Sequence, residues 1–407
     1  MNQQITDRQT GMFVAMGIVS LKLLILPAIL SQYTIKYSYL SVILGLIVDF
    51  VFLMFTLWVI KKHPNFNFNQ LIENVFGKAS KHILNFILFI YFLIKGVLTV
   101  KETHNYFNET LFESISWLFF VIPIMMLMFY VIIKDLKTLA RSVECFFLLI
   151  AAGVVLTFLL PISDVDFSNL LPLFGKGSEQ TIASLFYCNF SFGDYFVLFM
   201  LMGKIKLKQN SSKKILIYVL VTDLIVVLFY LVFVAMFGQI GVNQSLAISD
   251  LPLHALTSSA ISRLDWIIII LWTIILIFQA GILFAMSSTC LLESLKLKSK
   301  YVAASVVILI VFAILYYFYL DLEGMINFVT SLPFAIVSAV VQVVYPVMVL
   351  IAGCVLKNKK IKLSNFVTGA QIKIQYTNIS KVKKLKNNFS FNKNKVANVY
   401  DKVFEKV

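Results

Sequence analysis

Long runs of apolar residues, separated by short polar and charged clusters, dominate the chain from end to end. A helix needs roughly 20 apolar residues to cross a hydrocarbon core of about 30 Å. Runs of that length predict helices at roughly 12–32, 38–60, 82–103, 116–134, 142–161, 182–203, 215–238, 265–292, 300–320 and 332–356. The chain is therefore expected to be an all-α integral membrane protein with about ten transmembrane helices. Two connections have patterns of their own. Residues 66–77 space their apolar side chains as a short amphipathic helix at a membrane interface does, with a solvated linker as the alternative. Residues 250–259, between the seventh and eighth runs, are too apolar for an idle loop and are expected to form a lid helix.

Composition supports lipid as the solvent: 60% of the 407 residues are hydrophobic, 14% are charged, and the mean hydropathy is +0.89. The formal charge of +15 acquires meaning only from its distribution. Lys61, Lys62, Lys78 and Lys81, then Lys134, Lys137 and Arg141, then Lys204, Lys206, Lys208, Lys213 and Lys214, then Lys296, Lys298 and Lys300 fall in alternate loops. The loops between them have Lys36, Lys176 and Arg263 as their main basic residues and are richer in Glu109, Glu113, Asp164, Asp166, Asp250, Asp321 and Glu323. Basic loops stay inside, so the first set and both termini are expected in the cytoplasm. The charge marks sidedness and gives no sign of a nucleic-acid partner.

The chain divides into a membrane domain over 1–356 and a basic tail over 357–407, expected to be flexible and to lie against anionic lipid headgroups. Residues 1–10 are polar and the first apolar run lacks a small-residue cleavage pattern, so that run is expected to remain as helix 1. Cys145, Cys188, Cys290 and Cys354 are widely spaced in apolar runs. They suggest buried free thiols rather than a disulfide framework or a metal site.

Ionisable residues within lipid are costly and point to function. Lys22, Asp49, Lys95, Asp194 and Asp223 lie near helix midpoints, with nearly balanced signs. One reading is that they pair with one another and fix helix register without a ligand. The sequence around Lys22 and Asp194 suggests more. Helix 1 reads Gly17-Ile-Val-Ser-Leu-Lys22-Leu-Leu-Ile-Leu-Pro27, and helix 6 reads Tyr187-Cys-Asn-Phe-Ser-Phe-Gly193-Asp194-Tyr195. Glycine or proline in mid-helix frees backbone groups that lipid does not tolerate unless they line a protein cavity. The interruptions open the two five-helix halves, about 12–161 and 182–356, as expected of an inverted repeat with its site at the bilayer midplane.

There, half-helix N–H groups suit a carboxylate, while charged side chains and freed carbonyls suit an ammonium group, so an amino-acid-sized zwitterion fits. The candidate ligand-binding residues are Gly17, Ile18, Ser20 and Lys22 of helix 1, Lys95 of helix 3, Asn189, Phe190, Ser191, Gly193 and Asp194 of helix 6, and Gln279 of helix 8. Ser287 and Ser288 on helix 8 are expected to be packing residues.

The lead Ile5-Thr-Asp-Arg-Gln9, the Gly17 to Pro27 interruption, Asn69-Gln-Leu-Ile-Glu-Asn-Val-Phe-Gly77, Asn169-Leu-Leu-Pro-Leu-Phe-Gly-Lys-Gly177 and Ser191-Phe-Gly-Asp194 follow one another in a distinctive order. Over residues 5–356 the chain resembles the spore germination proteins that form B subunits of nutrient-germinant receptors, within the amino acid–polyamine–organocation transporter superfamily. The resemblance implies a LeuT-like fold of ten helices in two inverted five-helix repeats, with helices 1 and 6 broken. It also implies residence in the spore inner membrane, partnership with an A subunit and a lipoprotein C subunit, and recognition of a small nutrient such as an amino acid. Lys22 would supply a tethered positive charge where sodium-coupled relatives bind an ion, and Asp194, where relatives commonly have glutamate, would balance it or meet a ligand amine. The alternative is a proton- or cation-coupled amino-acid permease. No enzyme is expected, since no nucleophile, base or metal cluster is arranged and His63, His82, His104 and His254 are scattered. No cofactor is implied.

Overall fold

The computed structural model describes residues 5–110, 116–159, 161, 165–171, 178–205, 210–244, 247, 250–251, 265–318 and 321–356. Residues up to Gly353 form one compact unit. A second unit spans Cys354–Val407, of which only 354–356 are described.

The helices are α1 (Asp7–Leu23), α2 (Leu26–Thr34), α3 (Ser38–Lys62), α4 (Phe68–Phe76), α5 (Lys78–Thr110), α6 (Trp117–Ile133), α7 (Leu136–Leu159), α8 (Ser178–Tyr187), α9 (Phe196–Leu201), α10 (Ser211–Phe237), α11 (Asp265–Ser294), α12 (Lys300–Tyr317), α13 (Leu322–Val329) and α14 (Leu332–Leu356). Seven of them, α3, α5, α7, α10, α11, α12 and α14, are long and apolar enough to cross a membrane. The pair α8 and α9 is long and apolar enough only when taken together, bent by 60° at its break, and α6 is a shorter apolar helix. Each predicted run falls on helix, the first and sixth being split in two.

The side chains confirm the solvent. Leu44, Ile47, Met54 and Trp58 on α3, Phe119 and Met126 on α6, and Val337, Val340 and Val347 on α14 are exposed at the bundle surface. Water would not favour such contiguous apolar faces, whereas lipid does. This is an integral membrane helical protein.

Helix boundaries exceed the apolar runs where polar residues continue the backbone ladder. Thus α5 starts at Lys78 and ends at Thr110, and α7 starts at Leu136. The segment predicted as amphipathic is a helix, α4, entered through a capping box of Asn67 and Gln70 and buried along Phe68, Leu71 and Ile72. It ends at Gly77, whose φ of 90° suits glycine. Lys81 donates to Glu73 at 2.9 Å, and this bond holds the Glu73 carboxyl below its ordinary range. Helix α13 is unpredicted, though Asp321, whose side chain caps it through the Gly324 N–H, is a readable start signal. Of the predicted lid at 250–259, all but Asp250 and Leu251 lies outside the described residues.

One sequence expectation needs correction. Cys188 and Cys290 are buried, but Cys145 and Cys354 are exposed. An apolar run tells which residues avoid water, not which face lipid. The first interruption falls within the expected Gly17 to Pro27 stretch, at its C-terminal end. Helix α1 continues to Leu23, the break occupies Leu24 and Ile25, and Pro27 sits in the first turn of α2. Proline is tolerated there because the first helical N–H groups have no partner in any case.

Candidate functional site

The breaks place charge where lipid would forbid it. Lys22 lies in the last turn of α1, where the helix dipole favours a cation. Its carbonyl, freed by the break, accepts a hydrogen bond from the Tyr230 hydroxyl at 2.7 Å. The Leu24 carbonyl accepts from the Ala247 N–H at 3.1 Å. In the second break, α8 gives way to a single 3-10 turn at Asn189–Ser191, after which Phe192, Gly193 and Asp194 run irregularly into α9. Gly193 has φ of 85°, a left-handed conformation that glycine adopts without steric cost.

Asp194 is the hub. It pairs with Lys22 and, at 3.3 Å, with Lys95 of α5. All three side chains are almost wholly buried, Lys22 completely so. Lys95 also donates to the Phe192 carbonyl at 2.6 Å. Asp49 of α3 receives the Gly193 N–H on both carboxylate oxygens, at 3.0 and 2.9 Å. Two lysines and two aspartates thus form a formally neutral cluster around the second break.

Side chains from other helices satisfy the remaining backbone. Tyr91 donates to the Phe192 carbonyl at 3.0 Å, and the Gln342 amide donates to the Asn189 carbonyl at 2.7 Å and to the Tyr91 hydroxyl at 3.1 Å. The Tyr195 hydroxyl donates to the Gln342 carbonyl. Asn189 donates to the Ala335 carbonyl at 2.8 Å, tying the break to α14. The bonds to the Phe192 and Asn189 carbonyls replace ones that the broken helix has lost, while those from Tyr195 and Asn189 tie the break to α14.

The predicted residues converge unevenly. Lys22, Lys95, Gly193 and Asp194 meet in one cluster, and Asn189 and Phe190 flank it. Ile18 borders a small void with Asp49, Asp194 and Asp223. Ser191 faces a different cavity, on the α13 side. Gln279 reaches back to donate to the Gly17 carbonyl at 3.2 Å, so these two meet each other on α1. The side chain of Ser20 lies outside the described residues. Ser287 donates to the Phe89 carbonyl at 3.1 Å and holds α11 against α5 as a packing residue. Sequence reasoning missed Tyr91, Tyr195, Tyr230 and Gln342. Nothing in spacing distinguishes a tyrosine that closes a carbonyl from one that packs, although Gln342, an amide in an otherwise apolar run, was a readable signal.

A cavity of about 270 Å³ opens laterally between α3, α8 and α14, with Asp49, Asn189 and Gln342 among mostly apolar walls. Another, about 130 Å³, lies at the N-terminal end near Ile5, Lys204 and Ser288.

Comparison with known proteins bears on both fold and family. Three structures of single-residue variants of a manganese transporter from Eremococcus coleocola superpose with a TM-score of 0.55 at 12% identity, covering 86% of this chain and 85% of theirs. That likeness shows a shared transporter-type fold. The spore germination protein GerQB of Bacillus cereus is 23% identical over 307 residues, 75% of this chain and 84% of that protein. The family model described as spore germination protein matches residues 4–322. With most of its length matched in this way, the chain belongs to the spore germination protein family.

Proposed function

We propose that this chain is the membrane-embedded B subunit of a spore nutrient-germinant receptor, which binds a small nutrient, an amino acid, between its two broken helices. The observation behind the proposal is the meeting of both breaks at one buried cluster, Lys22, Lys95, Asp194 and Asp49. Polar groups at that depth are expensive in lipid and are retained where a ligand or a conformational change uses them. The chain would cross the membrane ten times, in inverted repeats of about 12–161 and 182–356, with both termini and the 357–407 tail in the cytoplasm. It would reside in the spore inner membrane beside an A subunit and a lipoprotein C subunit. Ligand binding would shift the balance between two arrangements of the broken helices and pass that change to the partners without net transport.

The transporter-type fold favours one other possibility, a proton- or cation-coupled amino-acid permease. A structural neighbour is a manganese transporter, but among the described residues no group of three or more His, Cys, Asp or Glu side chains is arranged so that it could hold a metal ion. Two measurements separate receptor from permease. Spores lacking the chain should fail to germinate on at least one of the twenty amino acids to which wild-type spores respond. The purified chain in proteoliposomes should show no accumulation of the same radiolabelled amino acid, and robust accumulation would overturn the receptor assignment.

A further inference from the structure

Two of the carboxylates at the breaks are occupied. Asp194 holds two lysines, and Asp49 holds the Gly193 N–H. A ligand ammonium arriving there would have to displace a lysine. Another carboxylate nearby has no such claim on it. Glu102 follows Lys95 by seven residues on α5, two turns or roughly 10 Å along the same helix face. It is 3% exposed, its Oε2 has no hydrogen-bond partner, and among the described residues it enters no ion pair.

Glu102 lines a small cavity of about 20 Å³. Leu26 of α2 forms part of the wall, Tyr187, Phe190 and Ser191 of the second break form another part, and Val329 and Thr330 at the end of α13 close it. A buried carboxylate is stabilised by a cation, and aromatic rings beside it add cation–π attraction. The combination of Glu102 with Tyr187 and Phe190 suits a primary ammonium group. The space admits a group the size of one water molecule. A whole ligand therefore requires the α2 and α13 walls to part, which couples binding to movement next to both breaks.

We infer that Glu102 recognises the ammonium end of the nutrient, while the Lys22–Asp194–Lys95 cluster holds the breaks in place. The inference rests on the receptor function proposed above and names the group that selects its ligand: an amino acid with a free α-ammonium.

The test uses the full chain in lipid nanodiscs. Thermal shifts are measured with each of the twenty amino acids and with their N-acetylated counterparts, for the wild type, Glu102→Gln and Glu102→Asp. At least one amino acid should stabilise the wild type, and its N-acetylated form should not. Glu102→Gln should weaken that ligand roughly 10- to 100-fold, the usual effect of losing a charge-assisted hydrogen bond, and should no longer discriminate against the acetylated form. Glu102→Asp should keep the discrimination with reduced affinity, which also covers the case of a Gln variant that does not fold. Binding to Glu102→Gln that matches the wild type, with discrimination intact, overturns the role of Glu102 and leaves the receptor function standing. Failure of every amino acid to shift the wild type overturns both.

Discussion

Asp194 faces two lysines in a space closed to lipid, so the three side chains depend on one another. Removing one partner of a buried ion pair costs about 3–5 kcal/mol, because the remaining charge is left uncompensated. Asp194→Asn strands two ammonium groups and should lower stability by that order in thermal unfolding of the nanodisc-embedded chain. Asp194→Glu keeps the charge and should cost less. Lys22→Met should be milder than Asp194→Asn, since Lys95 remains on Asp194. An Asp194→Asn variant that melts with the wild type would show that the pairs contribute nothing. Asp49 illustrates a different role for the same residue type. From sequence it was one more midplane charge, with a salt bridge as its plain alternative. In the fold it caps a broken helix through the Gly193 N–H, and only the tertiary approach of α3 to the second break reveals that.

At the scale of the helix, the two breaks have different origins. Gly193 has φ of 85°, and a methyl group there would meet the Tyr91 hydroxyl at 2.6 Å. Gly193→Ala should therefore destabilise the chain by about 1–3 kcal/mol and weaken any amino-acid response. Gly17 lies inside continuous helix, and the nearest side-chain atom to an added methyl is Val197 Cγ2 at 4.0 Å. Gly17→Ala should be neutral or stabilising by up to about 1 kcal/mol. Melting temperatures of the two variants check the contrast, and equal losses would contradict it. The pair also marks what the sequence made legible. Apolar run length located the helices, because the hydrocarbon core imposes a minimum span. The motif Ser191-Phe-Gly-Asp194 located the second break, because glycine was combined with a charge that needs protein surroundings. The first break lies within the expected Gly17 to Pro27 interruption, at its proline end. Glycine in a membrane helix is as often a packing residue as a hinge, and Pro27 was the stronger signal since it fixes the start of α2. The carbonyl-closing tyrosines and the free carboxylate of Glu102 depend on which helices become neighbours, which local spacing does not encode.

Across the whole molecule, the N-terminal end is closed by a latch. The Ile5 N–H donates to the Lys204 carbonyl at 2.7 Å, which tethers the lead into α1 to the segment just after α9. Glu144 of α7 accepts from Gln9 at 2.8 Å and pairs with Arg8 at 3.3 Å. The exposed ion pair is worth about 0.2–1 kcal/mol and the hydrogen bond about 0.5–1.5 kcal/mol. Losing both shifts an opening equilibrium by roughly three- to seventyfold. Two native thiols report on it. Cys290 is buried with its Sγ 3.5 Å from the Met200 sulfur of α9, close in sequence to the latched segment, while Cys188 lines the Glu102 cavity in the second break. With Cys145 and Cys354 replaced by serine, Glu144→Ala should raise the rate at which a maleimide labels Cys290 by that factor and leave Cys188 unchanged. Equal acceleration at both thiols would mean that the bundle loosens as a whole, and no change at Cys290 would mean that the latch does not govern access. A selective rise would show that the N-terminal side opens while the α13 side stays shut, the independence that a two-sided conformational cycle built on two broken helices requires.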